Sequence, residues 1–225
     1  MHFTVEGCKS GGTLGCQNGG VCLNTGFCNC SAGFTGSTCS VYNHFQISNI
    51  LSMDESSILS EMIQVSKVVL LYRATRDGFT ANAFHSKCNN KASTITIIEN
   101  NLNYVFGGYT TAEWESNDDF GWIKDSKAFI FSLRQNGTLN NKKFKVVDEN
   151  HSILAHKSYG PSFGHDILIE DNSNEKIGSY CNLGDHYELP NGYKYEDCRT
   201  SKYLAGDFDF WLTKEIEVFQ IITNY

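Results

Sequence analysis

Cys88 follows His85 by three positions in a segment with helical periodicity, close enough for the thiolate–imidazole pair of a nucleophilic or peroxide-reactive thiol. Ala81, Phe84 and Cys88, however, recur at i, i+3 and i+7, and such a face points into a core. A buried, unreactive thiol is therefore expected, with a redox-active or enzymatic Cys88 as the competing reading. His165-Asp166 has the residue types of a metal or acid/base pair, but neighbours on a strand point to opposite faces and do not converge on one ion. His151, His156 and His186 fall in loop-like segments without the C-x-x-C or H-x-x-x-H spacing that gathers ligands. Gly107-Gly108 lacks the helix start and lysine of a phosphate cradle, so a bulge or a close backbone approach is expected there. Serine-based hydrolysis is not expected, for want of a strained nucleophile turn. No catalytic residue, metal ligand set or cofactor is assigned.

The elements that would position these residues are mostly strands. Ser52-Met-Asp-Glu55 has capping-box spacing, and Ile58, Leu59, Met62 and Ile63 follow at helical intervals, so a core-facing amphipathic helix is expected. Val68–Arg73 reads as a buried strand ended by the turn Arg76-Asp77-Gly78, and a short helix is expected from Thr80. Thr94–Ile97, Tyr104–Tyr109, Phe129–Leu133, Asp166–Glu170, Phe208–Leu212 and Glu215–Ile221 read as further strands. Lys142, Lys143 and Lys145 read as a solvated turn. Many short strands with few helices between them imply antiparallel sheets packed as a sandwich, an α+β, mainly β class.

Cysteines are crowded at the front. Six lie between Cys8 and Cys39, spaced C-x7-C-x5-C-x5-C-x-C-x8-C, and the next is Cys88. A segment too short for an apolar core needs cross-links in its place, so this is read as a disulfide framework, with fifteen possible pairings. The formal charge of −7 lies downstream, since residues 1–46 hold only Glu6 and Lys9, and an acidic excess argues against nucleic-acid binding. No apolar run approaches the ~20 residues that cross a bilayer, so no membrane insertion is expected. The N-terminus lacks the basic start and apolar stretch of a secretory signal, whereas a disulfide framework calls for an oxidising compartment. The chain is accordingly read as part of a longer secreted or anchored precursor. Asn29, Asn136 and Asn150 carry glycosylation sequons that agree with secretion. Whether Cys181 and Cys198 pair is left open.

Two resemblances follow from these residues. Cys28-Asn-Cys30-Ser-Ala-Gly33-Phe34-Thr-Gly36-Ser-Thr-Cys39 resembles the C-terminal hairpin of an EGF-like domain, over residues 8–39. That resemblance implies Cys8–Cys22, Cys16–Cys28 and Cys30–Cys39 disulfides, positive φ at Gly33 and Gly36, and an extracellular or luminal site. The segment before Cys8 has one carboxylate, Glu6, too few ligands for calcium. Leu71–Phe79, Phe84-His-Ser-Lys-Cys88, Thr94–Ile98, Phe106-Gly-Gly-Tyr109, Ala128–Leu133, Tyr159-Gly-Pro-Ser-Phe-Gly164, His165–Ile167 and Glu215–Phe219 together resemble a TLDc domain, from about Ser48 to Ile221. This implies a sandwich of antiparallel sheets with a few flanking helices. It further implies association with oxidative-stress protection and with the vacuolar proton ATPase. Family members often carry additional glycines where this chain runs from Gly164 into His165-Asp166, so a tighter loop is expected. The expected organisation is residues 1–40 as the EGF-like module, 41–47 as linker and 48–225 as the TLDc domain, a non-enzymatic interaction protein with a protein partner, the alternatives being a redox-active or enzymatic protein using Cys88 or a structural segment of a larger surface protein.

Overall fold

The computed structural model describes residues 15–23, 27–31, 33–35, 38–63, 67–119 and 121–222. The chain divides into two compact units after Lys67.

In the first unit β1 (Val21–Cys22) pairs antiparallel with β2 (Cys28–Asn29), and β3 (Phe34–Thr35) with β4 (Val41–Tyr42). Disulfides join Cys16 to Cys28 and Cys30 to Cys39, with Cα separations of 5.7 and 5.2 Å. Cys22 is also disulfide-bonded, and Cys8, its expected partner, lies outside the described residues, as does Gly36. Gly33 takes φ +89°, where a side chain would be strained, and the chain turns there into β3. The Phe34 and Tyr42 rings meet edge-on at 5.3 Å, one of few apolar contacts available to so small a hairpin.

Helix α1 (Met53–Ile63) belongs to this unit and starts on a true capping box: Ser52 N–H donates to Glu55 Oε2 at 2.8 Å and Glu55 N–H to Ser52 Oγ at 3.3 Å. Its buried strip is Glu55, Ser56, Leu59 and Ser60, while Ile58, Met62 and Ile63 are half-buried. The inward face is thus turned toward Ser56 and Ser60, small enough for close packing, with the Ser60 hydroxyl returned to Ser56 O at 2.8 Å.

The second unit is built on a six-stranded sheet in the order β10-β9-β7-β6-β14-β5. Its strands are β5 (Lys67–Arg73), β6 (Thr94–Asn100), β7 (Val105–Thr110), β9 (Phe129–Gln135), β10 (Thr138–Lys145) and β14 (Thr213–Ile222). The pairs β6–β7, β7–β9, β9–β10 and β14–β6 are antiparallel. Short pairs, β8 (Gly121–Ile123) with β11 (Ile153–Ala155) and β12 (Ile167–Leu168) with β13 (Tyr180–Cys181), make a second layer. The result is a mainly β sandwich flanked by α2 (Ala74–Asp77), α3 (Ala81–Cys88) and α4 (Cys198–Ser201). Between the layers Ile98, Phe106, Ile130, Ile216 and Val218 of the sheet pack with Phe84, Trp114, Ile153, Phe163 and Ile167.

Several expected elements differ. Lys142, Lys143 and Lys145 lie on β10, an edge strand, rather than in a turn; the hairpin's two-residue turn is Asn136-Gly137, with φ of 44° and 79°. Lysines and the register shift between Leu139 and Lys142 keep such an edge from pairing further. β5 is the opposite edge, so of its apolar residues only Tyr72 is buried. Arg76 and Asp77 fall in α2, a single turn stopped by Gly78 at φ 105°. Phe208–Leu212 forms no strand: Trp211 anchors the segment in the core while Phe208 and Phe210 face solvent. Of Asp166–Glu170 only Ile167–Leu168 pair as a strand.

Gly107 and Gly108 are close approaches to the backbone, one on each face of β7. A methyl group at 107 would fall on the Thr96 carbonyl oxygen and 2.9 Å from the Phe131 ring; at 108 it would lie 2.6 Å from the Phe163 ring. Aromatic side chains therefore press on bare backbone from both sides of the sheet.

Candidate functional site

Helix α3 starts on Thr80, whose side chain accepts the Ala83 N–H at 3.1 Å, and it carries Ala81, Phe84, His85 and Cys88 inward. Cys88 is fully buried, and desolvation, with Asp77 adding to it, pushes its thiol far above the ordinary range. His85 is turned to other partners: Nδ1 meets Asn89 Oδ1 at 2.8 Å, and Nε2 meets the carbonyls of His156 and Tyr159 at 3.1 and 3.0 Å. The imidazole thus staples α3 to the 156–159 segment instead of activating a thiol. Cys181 is buried and its thiol likewise raised by desolvation, whereas Cys198 is exposed; neither is in a disulfide.

Gly160-Pro161-Ser162-Phe163-Gly164 does have the G-x-S-x-G spacing of a serine-hydrolase nucleophile turn, so the expectation that no such turn is present misread the sequence. Its geometry is nevertheless unlike one. Ser162 is fully buried, donates to Gly160 O at 3.1 Å, and leads into β12 rather than a helix.

Another set of residues does converge, and no spacing announced it. Trp122 on β8 is surrounded by three imidazoles, with ring centroids 4.9 Å from His151, 4.9 Å from His165 and 5.4 Å from His186. The four come from separate elements. His151 ends the 3-10 turn Glu149–His151, which Asp148 caps by accepting the Asn150 N–H. His165 sits in the three-residue turn Gly164–Asp166, closed where Phe163 and Ile167 pair, and Gly164 supplies φ +56°. This loop places His165 and Asp166 in a turn instead of on a strand. They therefore meet at His186, contrary to the expected divergence.

Asp166 organises the opposing loop. Fully buried, it accepts the amides of Gly184 at 2.6 Å, Asp185 at 3.2 Å and His186 at 2.8 Å, and stands 3.7 Å from His186 Nδ1. Burial pushes the Asp166 carboxyl pKa up, against the pull of His186 and these amides. The carboxylates of Asp166 and Asp185 raise the His186 imidazole above its ordinary value, burial opposing them. Asp185 Oδ2 lies 3.2 Å from His165 Nδ1 and 3.4 Å from His186 Nδ1. Asp148 Oδ2 takes a 2.6 Å hydrogen bond with His151 Nδ1, which holds its carboxyl below the usual range. Asp148-x-x-His151, His165-Asp166 and Asp185-His186 are the local signals; 122, 151, 165 and 186 are too far apart in sequence for any motif to join them.

A groove of about 690 Å³ opens beside the β10 edge, between Lys142, Lys143 and Phe144 on one wall and Glu188, Leu189 and Tyr193 on the other. Tyr203 packs edge-on to both Phe144 and Tyr193, at 5.7 and 5.4 Å, and Arg199 lies over the Tyr193 ring at 5.1 Å. The sequon asparagines Asn29, Asn136 and Asn150 are all exposed. No helix among the described residues is long and apolar enough to cross a membrane.

A family model described as the TLDc domain matches residues 15–222, and the chain belongs to the TLDc family. The match begins within the cysteine-rich segment, well ahead of residue 48. No curated protein matches the chain.

Proposed function

We propose that this TLDc protein is a non-enzymatic, two-module interaction protein whose sheet unit binds a protein partner in the groove beside β10. The groove carries the reading. Tyr193 and Tyr203, of a residue type enriched at binding hot spots, line it together with Phe144, Leu189 and the exposed Val147. Lys142, on the same face of β10 as Phe144, suits a partner segment that presents a carboxylate beside an apolar side chain, whereas the Lys143 ammonium lies over the Phe129 ring. The sequestered thiols of Cys88 and Cys181 favour this over a redox-active TLDc protein. The front segment serves as an EGF-like extracellular spacer or adhesion unit, a role its compact cross-linked hairpins support, and glycosylation falls at Asn29 there and at Asn136 and Asn150 in the sheet unit. Oxidative-stress protection and proton-ATPase binding, implied by family resemblance, belong to intracellular settings and are carried over only as candidate contexts.

The test uses the full chain as bait in extracts. Tyr193→Ala and Lys142→Glu are expected to lose the captured protein at least about tenfold, while Ile177→Asp, exposed outside the groove, retains it. Equal retention by all three variants, or no partner for the native chain, defeats the reading. Free sulfurs at Cys16, Cys28, Cys30 and Cys39 in never-reduced material would remove the extracellular module.

A further inference from the structure

We propose that His165, Asp185 and His186 form a binding site for one divalent transition-metal ion of the zinc class, joining the Gly164–Asp166 turn to the 184–186 loop beside Trp122. One nitrogen or carboxylate oxygen from each of the three lies within 4.8 Å of the others. Zinc at about 2.0–2.1 Å from nitrogen and oxygen ligands has ligand-to-ligand edges of roughly 3.3–3.4 Å in a tetrahedron. The His165–Asp185 separation of 3.2 Å, a long hydrogen bond, and the His186–Asp185 separation of 3.4 Å have this size. Asp148, His151 and His186 form a second group that shares His186. There the Asp148–His151 distance of 2.6 Å is a hydrogen bond, too short for two corners of a coordination shell. The first triad is therefore the one that binds.

The surroundings fit a bound cation. Asp166 fixes the ligand-bearing loop through three backbone amides and adds negative charge behind His186. The outer carboxylate thus acts as a positioning residue. The His165 N–H reaches His186 Nδ1 at 3.2 Å, and loading exchanges this long contact for a metal bond. Two imidazoles with one carboxylate favour zinc-class ions over calcium or magnesium, which take oxygen ligands. His165 is 43% exposed at its side chain, so the fourth position opens to water.

The experiment is Co²⁺ titration of the chelator-treated full chain, followed by the visible absorption of tetrahedral cobalt and by Trp122 quenching, with Zn²⁺ as competitor. It is run in a Cys198→Ser background to remove the exposed thiol. One saturable equivalent is expected, displaced by Zn²⁺ but not by Ca²⁺ or Mg²⁺. His165→Ala and Asp185→Asn, at partly exposed positions that leave the core intact, each weaken it at least about tenfold, whereas His151→Ala stays within about threefold. The proposal is overturned if there is no saturable binding, if Ca²⁺ competes equally, or if His151→Ala abolishes binding while His165→Ala does not.

Discussion

The Gly107-Gly108 pair offers a sharp test of the packing, because the two glycines face obstacles of different kinds. At 108 an added methyl meets the Phe163 ring at 2.6 Å, against about 3.5–4.0 Å for comfortable carbon contact, so the ring must retreat by about 1 Å. Overpacking of this kind costs about 1–3 kcal/mol, offset by about 0.5–1 kcal/mol from the reduced freedom of the unfolded chain. A net loss of about 1–2 kcal/mol lowers Tm by about 2–8 °C for a chain of this size. At 107 the obstacle is the Thr96 carbonyl, which cannot move without parting β6 from β7, and the cost should exceed about 4 kcal/mol. Thermal unfolding followed by near-UV circular dichroism, where the buried Trp114 and Trp211 report, measures both. Phe163→Leu should recover part of the Gly108→Ala loss, with a coupling of at least about 1 kcal/mol in a double-mutant cycle. If Gly107→Ala is as mild as Gly108→Ala, or if the cycle shows no coupling, the packing argument is wrong.

Of the three free cysteines among the described residues, Cys198 should alkylate promptly in native protein, while Cys88 and Cys181 react only on unfolding; prompt labelling of Cys88 would restore the redox reading. Burial alone would raise the Asp125 pKa. Hydrogen bonds from Thr110, Thr111 and the Lys127 amide outweigh it and hold the carboxyl below its ordinary value. Its stabilisation is thus full above the unfolded carboxyl pKa of about 4 and lost as pH falls through the lower folded value. Urea midpoints between pH 3 and 6 should fall less steeply for Asp125→Asn than for the native chain, and parallel slopes would contradict this. Arg73→Ala removes the guanidinium 2.6 Å from the fully buried Glu217 and should cost about 3–5 kcal/mol. Arg73→Met with Glu217→Leu should cost far less in the same denaturant assay; equal losses would locate the effect in packing rather than charge.

Local chemistry was legible wherever a few consecutive residues decide the outcome. The Ser52–Glu55 box, the Thr80 cap, the inward face of α3 and the alternation in β6 and β9 all depend on neighbours within about one turn or one strand. Elements whose state depends on distant partners were harder. Lys142–Lys145 looked like a turn because an edge strand needs no apolar alternation, although Asn136-Gly137 announced the hairpin. Phe208–Leu212 looked like a strand because its aromatics alternate, yet no neighbouring strand pairs with it.

The sequence by itself determined the helix starts, the inward thiol of Cys88, the two bare glycines and the cysteine-rich front, because each depends on short-range sterics, caps or spacing. Only the tertiary structure decided that His165, Asp185 and His186 meet beside Trp122, since β8 and two separate turns bring them together. The same holds for the groove beside β10, whose walls lie more than forty residues apart in the chain. Convergence of this kind is set by sheet order and loop closure, which leave no periodic trace in the residues that meet.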